Sequence, residues 1–113
     1  MLEIELWAEI YIDNELTRYS VSDTGKVVNR WTERILKPYQ NHKGYLMVRL
    51  YHNDQKYDFS VHRLVMLSFN ISGRVDQNQV NHEDGNKKNN YFYNLTRVNN
   101  SENQLHAYRT KLR

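Results

Sequence analysis

The sequence predicts an α+β fold: small antiparallel β-hairpins and one amphipathic helix, then a closing strand–loop–strand–helix (ββα) unit. Three observations carry that expectation. Through the first sixty residues, Gly, Asn and Asp punctuate short runs rich in Val, Ile and Tyr, the pattern of hairpin strands. The segment Val61 to Phe69 (VHRLVMLSF) changes to helical spacing of its apolar residues. From Val80 to Arg109 (VNHEDGNKKNNYFYNLTRVNNSENQLHAYR), two short apolar strands are embedded in a dense run of carboxamides, histidines and basic residues.

Size and composition set the limits. A chain of 113 residues forms one compact domain, or two modules sharing one core. Cysteine is absent, which rules out a disulfide framework and Cys-ligated structural zinc and fits a reducing cytoplasm. No apolar run approaches the roughly 18 residues of a membrane span, and no signal-peptide pattern opens the chain. The expectation is a cytoplasmic protein with no membrane partner. Net charge is +3 but unevenly placed. Glu3, Glu5, Glu9, Asp13 and Glu15 stand in the first fifteen residues without a Lys or Arg, so the remainder holds all 16 basic and only eight of the 13 acidic side chains. A basic body of that kind suits a polyanion.

In chain order, Leu2, Ile4, Leu6, Ala8 and Ile10 alternate with charged residues and Trp7, the period of a strand, with a short helix at Trp7 to Ile10 as the alternative. Tyr19 to Ser22 and Lys26 to Asn29 flank Asp23-Thr24-Gly25, a hairpin signature. Pro38 ends a strand at Ile35 to Lys37, and Asn41 to Gly44 forms a turn. Tyr45 to Tyr51 and Lys56 to Ser60 form a second hairpin around His52 to Gln55. Arg18, Lys26, Arg30, Arg34 and Lys37 are candidate phosphate contacts in this half. The nine tyrosines read as half-buried strand residues with wet hydroxyls, or as stacking platforms for bases. In the helix, Val61, Leu64, Val65, Leu67 and Phe69 form the apolar set, with Met66 nearby. His62 is either bonded to backbone at the helix start or a neighbour of a functional site. Ile71 to Gln79 is a polar loop.

The closing unit is the informative one. Val80 to His82 is a strand, Asp84-Gly85 a turn, and Leu95 to Val98 a second strand with β-branched residues facing the core. Asn99 is a helix N-cap with Glu102 three residues on. Folded as ββα, the end of the first strand and the first helical turn approach each other. Asn81 and Asn103 then face one cation, with His82 beside them.

On Asn81-His82, Asn94 and Asn103, in that order and with those flanks, the chain resembles the HNH endonucleases of the intron- and phage-associated homing type, over Val61 to about Tyr108. The segment from Trp7 to Tyr57, with YSVSDTGKVVN, also resembles a small module found ahead of HNH domains in homing enzymes. The resemblance implies two segments, a β-rich DNA-contacting module over 1–60 and a ββα-metal (His-Me finger) nuclease domain without structural zinc over 61–113. It implies His82 as general base, Asn94 as the brace of the loop, and Asn81 with Asn103 as ligands of one divalent ion, Mg²⁺ or Mn²⁺. Better-known members carry Asp where this chain has Asn81. Two carboxamides give neutral oxygens only, so the substrate phosphate has to contribute to metal binding. Asp84 is the nearest carboxylate in sequence, and its first reading is a turn residue. Double-stranded DNA is the implied partner, with Arg63, Lys87, Lys88, Arg97, His106 and Arg109 as candidate contacts. Because the chain stops about ten residues past Asn103, target recognition is expected to be modest or shared with a second copy or a protein partner. A silent DNA-binding or inhibitory module, and a subunit that cuts only with a partner, are the alternatives.

Overall fold

The computed structural model describes residues 4–69 and 79–98. Its fold is α+β, with three antiparallel sheets, one α-helix and a single 3-10 turn (Phe92–Asn94) among the described residues. Strands β1 (Trp7–Ile12), β2 (Glu15–Ser22), β3 (Val27–Asn29) and β4 (Arg34–Ile35) form a four-stranded sheet in sequence order. Strands β5 (Tyr39–Gln40), β6 (Leu46–His52) and β7 (Gln55–Ser60) form a second sheet. Helix α1 (Val61–Ser68) follows β7 directly, and β8 (Gln79–His82) pairs with β9 (Leu95–Val98).

Two hairpins close through residue pairs that few L-amino acids tolerate. Asp13 and Asn14 have φ of 51° and 63°, and Asn53 and Asp54 have φ of 51° and 62°. Both central positions are left-handed, as a two-residue hairpin turn requires, and short Asx side chains bear that conformation best. The Asp13-Asn14 turn was not anticipated, because it lacks the usual glycine. It extends β2 back to Glu15, and the second hairpin pairs one residue further out, at His52 and Gln55.

The first strand is shorter than the alternation predicts. Residues 4–6 are not in a strand, and Ile4 and Leu6 are 79% and 57% exposed, whereas Ile10 and Ile12 are buried. Period two orients side chains but does not supply a partner strand. β2 ends its pairing with β1 at Trp7, and the residues just before it are held by the β2–β3 turn instead, Leu6 by backbone bonding to Asp23 and Glu5 by Thr24 and Lys26. Trp7 to Ile10 is strand, not helix. Similarly, the strand expected at Ile35 to Lys37 is Arg34–Ile35, and a short strand past Pro38 was missed.

The core takes residues from both halves: Ile10, Tyr19, Val21 and Val27 from the first sheet, Val48 and Leu50 from the second, Val61, Leu64, Val65 and Met66 from α1, and Val80 and Leu95 from the last. Leu50 and Val65 are completely buried. On α1, Val61, His62, Val65 and Met66 turn inward, while Arg63 and Leu67, one turn apart, form the exposed stripe. Leu67 therefore belongs to solvent, at 67% exposed, and Met66 to the core. In β9 the buried position is Leu95, not the β-branched residues.

Several tyrosines and basic residues turn out to be structural. The Tyr19 hydroxyl, inside the core, accepts a hydrogen bond from the Tyr51 amide at 3.1 Å. The Arg30 guanidinium binds the carbonyls of Tyr19 and Thr17 and the Ser20 hydroxyl, which removes it from the candidate phosphate contacts. A planar five-donor group satisfies that many acceptors only where the chain curls round it. Arg18 lies 4.3 Å from the centre of the Trp31 ring, and Lys26 pairs with Glu5 at 3.6 Å.

Candidate active site

The site grows from the pleat of β8. Successive side chains point to opposite faces of a strand, so Val80 and His82 face the core while Gln79 and Asn81 face the other way. Asn81 lies opposite Thr96 and His82 opposite Leu95.

On the core side, His82 is buried and its Nε2 lies 2.8 Å from Oδ1 of Asn90. A carboxamide oxygen only accepts, so Nε2 carries the proton and the lone pair of neutral imidazole sits on Nδ1. Burial holds the His82 pKa below the ordinary histidine value, against the raising effect of the Asn90 bond and of Asp84, while Lys87 adds to the lowering. His82 is therefore neutral near pH 7 and presents one basic nitrogen of fixed identity.

Two rings flank it. His62 packs edge-on at 5.2 Å between ring centres, and Tyr45 lies 5.9 Å from His82 and 4.8 Å from His62. The Nδ1 of His62 is buried without a hydrogen-bond partner among the described residues. Burial first, then the neighbouring His82 and Arg63, lowers its pKa to about 4. Lys87 reaches across, donating to the Lys43 carbonyl at 2.8 Å, with its ammonium 4.9 Å from the centre of the Tyr45 ring.

The loop after His82 is closed by Asn94. Its Nδ2 donates to Asp84 Oδ1 at 3.0 Å and to the Asn89 carbonyl at 2.9 Å. Its Oδ1 accepts the Asp84 amide at 3.1 Å, and its backbone carbonyl accepts the Glu83 amide at 2.8 Å. Asp84 also takes the Asn86 amide and the Asn89 side chain, both at 2.8 Å. Those bonds, the one from Asn89 foremost, lower its pKa. Its carboxylate is committed to the turn.

Asn90 is the residue that the sequence reading missed. Its signal was the Asn89-Asn90 pair eight residues past His82, a carboxamide with no turn to make. The β2–β3 turn sets its place. Gly25 has φ of +93°, and a Cβ there would stand 2.9 Å from Asn90 Cβ. The Phe92 amide donates to the Asp23 carbonyl at 2.6 Å from the same turn. The N-terminal hairpin thus buttresses the partner of His82. Gly25→Ala is expected to cost about 1 to 3 kcal/mol of stability from backbone strain and, by displacing Asn90, to slow any chemistry that His82 performs. Urea unfolding together with a rate measurement on the folded variant checks this, and wild-type values of both would refute it.

On the opposite face, the buried Asn81 donates through Nδ2 to Glu83 Oε1 at 3.2 Å and to Thr96 Oγ1 at 3.5 Å. Asn103, His106 and Arg109, with the expected Asn99 cap, lie outside the described residues. Of the other candidate contacts, Arg63 is exposed on α1, Lys87 and Lys88 are exposed in the loop, and Arg97 is half-buried on β9. An open cleft of about 510 Å³ runs beside His62, bordered by Asn41, Lys43, Tyr45, Ser60 and Arg63. Among the described residues no helix is long and apolar enough to cross a membrane.

Comparison with known proteins fits this geometry. A match to the NUMOD4 motif covers residues 5–51, the first sheet and most of the second. Over 89 residues the chain is 43% identical to the uncharacterized HNH endonuclease L245 of Acanthamoeba polyphaga mimivirus, covering 79% of this chain and 26% of that protein. It is 38% identical over 90 residues to the DNA endonuclease I-HmuI of Bacillus phage SP01, covering 77% of this chain and 51% of that protein. The solved structure of the HNH homing endonuclease I-HmuI, a study of DNA binding and cleavage by that enzyme, matches with a TM-score of 0.77 at 34% identity, over 93% of this chain and 60% of that one. The chain therefore spans about a quarter to about half the length of these curated relatives. With homologues of that name along most of its length, and their fold, the chain belongs to the family of HNH homing endonucleases.

Proposed function

We propose that this chain is a metal-dependent endonuclease that hydrolyses phosphodiester bonds of double-stranded DNA, with His82 as general base. The observation that carries the proposal is the Nε2 to Asn90 hydrogen bond. It fixes the tautomer and ring orientation of a neutral, buried histidine, which is what proton abstraction from water near neutral pH requires. A purely DNA-binding module has no use for that arrangement.

The donor set fits Mg²⁺ or Mn²⁺. Asn81, with Asn103 from the segment outside the described residues, offers carboxamide oxygens, which are hard donors. A divalent ion there supplies positive charge against the charge that develops at the phosphate. The chain's own residues do the rest. Asn94 holds the 83–89 loop rigid, Asn90 holds the base, and His82 Nδ1 takes the proton from water. Arg63, Lys88, Arg97, His106 and Arg109 hold the DNA backbone, joined by Lys87 above Tyr45. The products are 3′-hydroxyl and 5′-phosphate ends, and a single site of this kind cuts one strand at a time.

Supercoiled plasmid incubated with the full chain is expected to relax to nicked circles with Mg²⁺ or Mn²⁺ and to stay supercoiled with EDTA. Linear product would point to two copies acting together. Intact plasmid that is nevertheless bound by the same preparation would replace the proposal with a binding module or a partner-dependent subunit.

A further inference from the structure

We propose that Glu83 is a positioning residue for Asn81, turning its carboxamide so that the oxygen, and not the nitrogen, is presented to a divalent cation. The inference rests on the reading of Asn81 as a metal ligand and extends it to a residue that this reading does not use.

A carboxamide is an ambiguous ligand. Its oxygen binds hard cations and its NH₂ does not, yet the two ends have nearly the same shape and exchange by rotation about one bond. The aspartate found at this position in better-known relatives has no such ambiguity, since either oxygen serves. This chain has to fix the rotation, and the face of β8 and β9 carries a device that does so. Asn81 Nδ2 donates to Glu83 Oε1 at 3.2 Å. The Thr96 hydroxyl donates to the same oxygen at 2.7 Å. That bond uses the only proton Thr96 has, so its lone pairs are what face Asn81 Nδ2 at 3.5 Å. Both neighbours are therefore acceptors. Turned the other way, Asn81 would set its oxygen against a carboxylate and against a hydroxyl with no proton to offer. The selection follows from the donor and acceptor inventory alone.

The carboxylate contributes a second effect. A hydrogen bond to an ionised acceptor is roughly twice as strong as a neutral one, and it withdraws the NH₂ protons and raises electron density at Oδ1. Outer partners of metal ligands act in this way, and their loss typically costs about ten- to a hundredfold in metal affinity. Glu83 thus returns, one bond removed, part of the negative charge that Asn81 lacks. The placement is a matter of local sequence, since residues 81 and 83 share a side of the strand as it enters the turn. Asp84, the carboxylate that the sequence offers first, is held by its own loop.

The test is a Mn²⁺ titration of the full chain, read by paramagnetic broadening of amide signals around residue 81, without DNA. Glu83→Ala is an exposed-site change that keeps the fold. It is expected to weaken Mn²⁺ about tenfold or more in the parent, and clearly less in an Asn81→Asp background, where no amide needs orienting. Equal losses in both backgrounds would reduce Glu83 to a nearby charge and overturn the proposal, as would no loss in the parent. Asn81→Ala separates the two levels of the argument. If it abolishes binding while Glu83→Ala does not affect it, Glu83 alone is misassigned; if it leaves Mn²⁺ affinity unchanged, Asn81 is not a ligand and the inference falls with that reading. The side-chain NH₂ of Asn81 gives an independent readout, shifting upfield and exchanging faster in Glu83→Ala if the carboxylate bond exists in solution.

Discussion

His82→Ala is expected to slow plasmid nicking by about a hundred- to ten-thousandfold, the usual contribution of a positioned general base, while leaving plasmid binding in place. The size of the effect depends on more than the presence of an imidazole. In the proposed mechanism Nδ1 is the working atom, because Nε2 is held by Asn90 at 2.8 Å and burial keeps the ring neutral. Asn90→Ala is the companion measurement. It leaves His82 in the site but frees the ring to turn and to exchange tautomers, so nicking should fall along with it, by less than for His82→Ala. If His82→Ala cuts plasmid as fast as the parent, another group takes the proton and the mechanism given above is wrong.

The second large effect is on stability in acid. His62 is 8% exposed, and its pKa in the fold is about 4, against 6.5 for an ordinary histidine. Between those values the unfolded chain takes up a proton at this position that the folded chain refuses, so stability is full above about pH 6.5 and drains away as pH falls toward 4. At about pH 4.5 the loss amounts to about 2 to 3 kcal/mol. The cause is local: protonation would place a cation beside His82 and Arg63, in a pocket closed by Tyr45. His62→Phe keeps a ring between Tyr45 and His82 and removes the proton site. Urea unfolding followed by fluorescence of Trp7 and Trp31 should show the parent losing that much more than His62→Phe between about pH 7 and about pH 4.5. Carboxylates with lowered pKa values, such as Glu5, Asp58 and Asp84, lose stability in acid in both proteins and cancel in the comparison. Parallel profiles would mean that water reaches His62 in the fold.

Much of this molecule is legible in its sequence because the governing interactions are short-range. The β2–β3 hairpin follows from Asp23-Thr24-Gly25, whose glycine does adopt a left-handed φ. α1 begins at Val61 as its spacing predicts. The Asp84-Gly85 turn and the position of Asn94 one loop away are read from residue type and order. Errors arose where a partner was needed. Alternation at Ile4 and Leu6 has no opposing strand, and Leu67 fits an apolar count but not the buried arc of its helix. The Asp13-Asn14 turn shows that a hairpin can be closed by the Asx side chain's tolerance of positive φ rather than by glycine.

By itself the sequence determined the β2–β3 hairpin, the start of α1, the family resemblance, and which residue types stand at the chemical positions. Only the tertiary structure decided which nitrogen of His82 is basic, that His62 stays neutral, and that Asn81 is gripped by Glu83 and Thr96. Those outcomes depend mostly on contacts between residues that are not neighbours in the chain, His82 with Asn90, His62 with His82, and Asn81 with Thr96. Gly25 reaches Asn90 across sixty-odd residues, and Tyr45 reaches both histidines from the segment just before β6. Residue type states what a side chain is able to donate or accept. Its surroundings determine which of those options is used.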